Sequence, residues 1–248
     1  MEGLNSIKKL WKLYFPDLRQ ELIAMLAGGI FGIIVTMCFM KFLDTASSEG
    51  YITLGSFIAL WIGICMTAFT NFFSFPQKFN LAVSMGCTRK NFFLCYWIVN
   101  TLFTAAEILF VMGLAFAETG LGRILYADSF LMDDINLIPV LADYRVVTSI
   151  LLFVPIFGML LGILYLKFQV KAFWALWAFW MLFSLTGSKI SKAISANPDS
   201  IPARIISGIG NIFMTMGSHM ALPLILAVSI LLFAISAILL RRQAVIQP

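Results

Sequence analysis

The sequence predicts an all-α polytopic membrane protein. It is read as one transmembrane domain over 1–248, with six spans, an N-terminal interfacial helix and helices dipping into the outer leaflet before the last span. Three observations lead there. Hydrophobic residues make up 61% of the 248 and charged residues 12%, where a soluble domain carries about a quarter charged. The mean hydropathy is +0.96. Several apolar runs approach the length of about 20 residues that crosses a bilayer as a helix. The net charge of +5 is no nucleic-acid signal, because the basic residues sit at span ends, where they set topology.

The first element lies within residues 1–20. LNSIKKLWKLYF, residues 4–15, sets Leu4, Ile7, Leu10, Trp11, Tyr14 and Phe15 on one face and Lys8, Lys9 and Lys12 on the other. That pattern fits a helix lying on the inner leaflet, with lysines toward anionic lipid; a solvated helix resting on other protein is the alternative. Pro16 and Asp17 are expected to end it. The segment is amphipathic and has no small-residue cleavage site before the first span, so it does not read as a secretory signal peptide.

Span one is predicted over 22–43, with Gly28, Gly29 and Gly32 permitting close helix approach. Span two, 52–73, carries Thr67, Thr70 and Asn71 near its end. A polar joint follows, FPQKFNLAVSMGCTRKNFF over Phe75 to Phe93, with Lys78, Arg89 and Lys90 and no acid. Its apolar residues give one or two helical turns. Gly86 breaks them, and Thr88 is placed to cap a helix starting at Arg89. A basic turn obeying the positive-inside rule would explain the charges alone; a lever pushed by a cytoplasmic partner would also explain the short helix. Span three, 92–117, contains Asn100 and Glu107.

The loop from Glu118 to Arg145 mixes apolar and acidic residues and predicts short surface helices. Span four, 146–166, has Pro155 and Gly158 as a kink site. After a basic turn, Lys167 to Lys171, span five at 172–187 is short and aromatic-rich, reading as an ordinary helix with its interfacial belt. Residues 188–217 begin polar, are broken by Asn197, Pro198 and Pro202, and then turn amphipathic, too short and Gly-rich for a span. Span six is 219–240, ending at Arg241 and Arg242.

With both termini inside, the inner segments hold Lys8, Lys9, Lys12, Arg19, Lys78, Arg89, Lys90, Lys167, Lys171, Arg241 and Arg242. The outer ones hold Lys41, Arg123, Arg145, Lys189, Lys192 and Arg204, a bias of eleven to six. Asp128, Asp133, Asp134 and Asp143 all fall outside. The joint at 75–93 therefore faces the cytoplasm of a multi-pass plasma-membrane protein.

Little in the chain marks chemistry of its own. There is no GxxxxGK[ST] phosphate loop and no GxSxG, and no aspartate pair within a span suits an intramembrane protease. His219 is the only histidine, interfacial at the outer end of span six, and no metal motif exists. Cys38, Cys65, Cys87 and Cys95 lack zinc spacing and avoid the outer loops, so all four read as reduced thiols. No catalytic residue and no metal site is expected. Glu107 reads as the one ionisable residue deep in a span, where a carboxylate costs about 2.5–3.5 kcal/mol on insertion scales. It either lines a translocation route or hydrogen-bonds within the bundle and fixes its packing. Asn71, Asn100, Thr101 and Thr104 are the other candidates for a route. Few polar groups in the spans suit a lipid-like, hydrophobic or amphipathic cargo better than a sugar or nucleotide.

The run LAVSMGCTRKNFF, together with the six-span layout, resembles the loop after the second span in small type-2 ABC transporter permeases of Gram-positive bacteria. The resemblance implies that residues 75–90 form a cytoplasmic coupling helix docking into an ATP-hydrolysing subunit, through Phe79, Leu81, Ser84, Met85, Gly86, Thr88, Arg89 and Lys90. Residues 1–20 would be the elbow helix, and 188–217 the re-entrant helices that precede the last span. It implies two ATPase subunits carrying ATP and magnesium, no cofactor on this chain, and a second permease copy or a paralogue. The cargo of the most similar permeases is an amphipathic cytolytic peptide of the phenol-soluble-modulin kind; related permeases confer immunity to lantibiotics or bacitracin-like antibiotics. An ion-driven secondary transporter with Glu107 as proton site stands as the alternative from another class, although no inverted repeat is visible. A membrane scaffold without transport is the third.

Overall fold

The computed structural model describes residues 2–42, 53–125, 137–196 and 218–241. Every regular element among them is a helix: α1 (Glu2–Phe42), α2 (Leu54–Ser84), α3 (Arg89–Leu125), α4 (Leu137–Ala142), α5 (Tyr144–Phe168), α6 (Val170–Ala196) and α7 (Ser218–Arg241). Among the described residues five stretches are long and apolar enough to cross a membrane: Tyr14–Cys38, Leu54–Ser84, Arg89–Leu125, Tyr144–Phe168 and Leu222–Arg241. The predicted fifth span falls in α6, whose apolar part, Val170–Thr186, is shorter than these. Large side chains such as Phe31, Phe69, Leu109, Phe179 and Ile230 stand exposed on the outer faces. Such a surface needs lipid as its solvent, and the chain is built as a multi-pass membrane protein.

Several element boundaries differ from those the sequence predicts. Pro16 does not end the first helix: α1 runs through it for 41 residues. Pro76 likewise sits inside α2, so span two and the predicted short helix at 75–88 are one continuous helix. Proline removes one backbone bond from a helix, and membrane helices absorb that loss through their neighbours. Here both sites are flanked by tight packing, with Tyr14, Leu18, Phe75 and Phe79 all buried in one cluster. α3 runs past 117 to Leu125, so Glu118 belongs to a span and not to the loop. α6 runs past 187 and its helix is described up to Ala196, directly before Asn197 and Pro198. The rest of the predicted re-entrant segment, 197–217, lies outside the described residues, as do Asp128, Asp133 and Asp134. Of the predicted short surface helices, α4 lies within them.

α3 is the most enclosed span and α7 the least. α1 lies against α2 along its length, and α2 packs on α5. The glycines foreseen in span one allow the first contact: a Cβ on Gly32 would stand 2.6 Å from the Gly55 Cα. Gly162 plays the same part on α5, where a Cβ would lie 2.7 Å from the Asn71 carbonyl oxygen. Between lipid-embedded helices, such small residues let backbones approach where no water is left to expel.

The far end of the bundle from the joint is fastened by Glu118. Thr53 gives α2 no side-chain cap. Instead the fully buried Glu118 carboxylate accepts hydrogen bonds from the Gly55 and Ser56 amides, both 2.9 Å, and from Ser56 Oγ at 2.5 Å. An anion on open helix amides is favourable because the first N–H groups have no partner within their helix. Thr53 Oγ1 in turn accepts from the Leu137 amide at 3.1 Å, which ties α4 to the same corner.

Candidate functional site

The joint between α2 and α3 is closed by hydrogen bonds that the sequence order dictates. α2 ends at Ser84; Cys87 N donates to Ala82 O and Gly86 N to Val83 O, both 3.0 Å. This double closure requires a left-handed residue after the cap, and Gly86 supplies it at φ +81°. Thr88 then opens α3, its Oγ1 accepting from the Asn91 amide at 3.4 Å. At 31 residues, α2 is about 46 Å long, as long as a bilayer with its headgroups. Its ends therefore reach the aqueous faces, and the joint stands at one of them.

Leu81, Ser84, Met85, Gly86, Thr88 and Lys90 are exposed there, with Arg89 half-buried. Phe79 is not among them. It is fully buried, its ring stacked 6.3 Å from Phe75 and edge-on to Phe92 at 5.5 Å. It belongs to the aromatic cluster that anchors the joint and is out of reach of a docking partner. Lys78, expected as a surface charge, is also buried. It pairs with Asp17 of α1 and lies 3.4 Å above the Tyr14 ring.

Below the joint, α1, α2 and α3 enclose a ladder of polar side chains. After Asp17–Lys78 comes Asn71, whose Oδ1 accepts from Tyr96 Oη at 2.5 Å and from Asn100 Nδ2 at 3.0 Å. Asn71 Nδ2 donates to the Thr67 carbonyl at 2.7 Å. Deeper still, Thr67 Oγ1 donates to the Glu107 carboxyl, 3.0 Å from each oxygen. Glu107 is also hydrogen-bonded to Glu21 of α1, which meets Thr70. Among these groups is a cavity of about 10 Å³, touching Asp17, Glu21, Thr70 and Asn100. That is room for about one water.

Of the residues expected to line a route, Asn71, Asn100, Thr104 and Glu107 are thus buried in the protomer's own interior. Thr104 and Thr101 donate to the carbonyls of Asn100 and Trp97 on their own helix. Glu107 is not alone: Glu21, Lys78 and Glu118 are buried ionisable residues on the same three helices. The sequence did carry a signal for them. Thr67, Asn71 and Lys78 follow one another by four and seven residues, as do Tyr96, Asn100 and Glu107. Each set is one helix face. No disulfide joins the four cysteines. No group of three or more potential metal ligands occurs among the described residues.

A second recess is wholly different. Ala68, Phe69, Phe72, Phe157, Phe173 and Trp180 are among the residues bounding an open groove of about 480 Å³ between α2, α5 and α6, with almost no polar lining. Comparison with protein-family models, curated proteins and solved structures found no match to this chain.

Proposed function

We propose that this chain is the membrane subunit of an ATP-driven exporter of the type-2 ABC class, with six spans and both termini in the cytoplasm of the cell that carries it in its plasma membrane. The observation that carries this reading is the α2–α3 joint. It is a hydrogen-bonded turn at a membrane face, with Leu81, Ser84 and Met85 exposed. Two span-length helices run from it without interruption. A force applied to it passes straight into both spans. The buried cluster of Phe75, Phe79, Phe92 and Tyr96 keeps their near ends from splaying.

Two ATPase subunits, holding ATP and magnesium, bind the joints of two permease copies related by a two-fold axis. Their closure moves each joint and rocks the spans between inward- and outward-facing states. The cargo is an amphipathic or hydrophobic peptide. The polar ladder around Asn71 and Glu107 is bonded within the protomer, while the groove on α2, α5 and α6 offers an apolar wall. An antibiotic-immunity exporter for lantibiotic or bacitracin-like compounds uses the same parts.

The test is ATP hydrolysis by the complex with its ATPase in nanodiscs, with and without an amphipathic helical peptide. Leu81→Asp with Met85→Asp is expected to abolish assembly or peptide stimulation. Hydrolysis that ignores these changes, at wild-type assembly, overturns the reading.

One observation favours a second reading, a proton-coupled secondary transporter: the buried carboxyl groups of Glu21 and Glu107 meet beside Thr67. Under that reading Glu107→Gln abolishes uptake or efflux driven by a pH gradient. Under the exporter reading it leaves ATP-driven transport in place.

A further inference from the structure

We infer that the cleft between the start of α3 and the end of α7 is a binding site for one anionic phospholipid of the leaflet at the joint's end. The cleft holds about 200 Å³. Its mouth carries Arg89, Lys90 and Arg241, and its floor is apolar, with Phe93, Phe233 and Leu240. Among the described residues no acid lines it. Two cations lie on α3 and one on α7, elements otherwise in slight contact. Arg89 Nη1 donates to the Arg241 carbonyl at 3.3 Å, which fixes the two helix ends at one level.

Depth decides the kind of anion. The span Leu222–Arg241 has 20 residues, about 30 Å of helix, which matches the hydrocarbon thickness. Arg241 therefore lies at headgroup level, and Arg89 beside it. Phe93 lies one turn inward on α3, and Phe233 about 12 Å inward on α7. The two rings meet at 4.8 Å and form the wall of the cleft. Three cations in the headgroup layer with an apolar slot running inward match a phosphate with an acyl chain beneath it. A soluble phosphate would use the mouth and leave the slot empty. A lipid seated here joins α7, the least enclosed span, to the joint. The site does not rest on the exporter reading, since it needs no ATPase.

The experiment is native mass spectrometry of the full chain in detergent, titrated with phosphatidylglycerol or phosphatidylcholine, with glycerol phosphate as a soluble competitor. Phosphatidylglycerol is expected to bind more tightly, and glycerol phosphate not to displace it. Arg89→Gln with Lys90→Gln and Arg241→Gln should weaken that binding by about fivefold for each cation removed. Lys167→Gln with Lys171→Gln, which removes charge at the α5–α6 turn, should leave it within about twofold. Ala237→Phe keeps every charge and fills the slot, and should also weaken binding. Its thermal midpoint checks that the protein is folded. Equal binding of the two lipids, an equal loss in the triple and double variants, or full displacement by glycerol phosphate would each overturn the site.

Discussion

The α1–α2–α3 bundle and the α5–α6 flank lie in the same membrane but are held by different forces. In the bundle, Asp17, Glu21, Thr67, Asn71, Lys78, Tyr96, Asn100 and Glu107 bond to one another across three helices. On the flank, the buried residues of α5 are apolar or glycine, and α6 presents Trp174, Trp177, Phe179 and Trp180 outward. Lipid is as apolar as leucine, so burial alone gives little drive for one helix to choose another. Polar bonds and small residues must make the choice. The α1–α2–α3 bundle, with α5 held to it at Gly162, is therefore the specified part, and α6 is an element with few such ties.

The sharpest way to break the comparison is to strip one partner from a bundle ion pair. Lys78→Met leaves Asp17 beside Glu21 without its cation. It should cost about 3–5 kcal/mol, read as the denaturation midpoint in mixed micelles, and adding Asp17→Asn should restore a large part of it. Gly162→Val comes next. Its new Cβ would lie 2.5 Å from that of Phe75 and 2.7 Å from the Asn71 carbonyl, and overpacking of this kind costs about 1–3 kcal/mol. Asn71→Leu removes three hydrogen bonds. At about 0.6 kcal/mol for each bond between membrane helices, the loss is about 2 kcal/mol. The exposed aromatic face of α6 should respond least in stability. Trp177→Ala with Trp180→Ala should move the midpoint by about 0.5 kcal/mol or less, while lowering peptide-stimulated hydrolysis. A loss as large as that of Lys78→Met would erase the distinction between the bundle and α6.

The all-helical, multi-pass character and the packing devices were largely legible in the sequence, because hydropathy and small-residue spacing are local; the fifth of the six predicted spans falls in α6, whose apolar part is shorter than the five helices that qualify. Gly28, Gly29 and Gly32 were read as a close-approach face, and each meets a neighbouring helix. Gly86 and Thr88 were read as a break and a cap, and both have that geometry. Proline misled twice. Pro16 looks like the end of a helix and Pro76 like the start of a new one, but tertiary packing overrides a local breaker. Burial of charge was also hidden. Lys78 reads as a surface residue until Asp17 is brought to it from 61 residues away, and Glu118 reads as a loop acid until the open amides of α2 meet it. Pairing between distant segments leaves no trace in composition; only the four-and-seven spacing hinted at it.

The most direct test of the joint as the seat of an ATPase is site-specific photo-crosslinking in the assembled complex, with a photoreactive residue in place of Met85 or, separately, of Phe79. Met85 is exposed at the turn and Phe79, six residues earlier, is buried on the inner face. The account predicts capture of the ATPase from position 85, strengthened on adding ATP, and capture within the chain itself from position 79. Equal labelling of the ATPase from both positions, or none from position 85 in a complex that hydrolyses ATP, would contradict it.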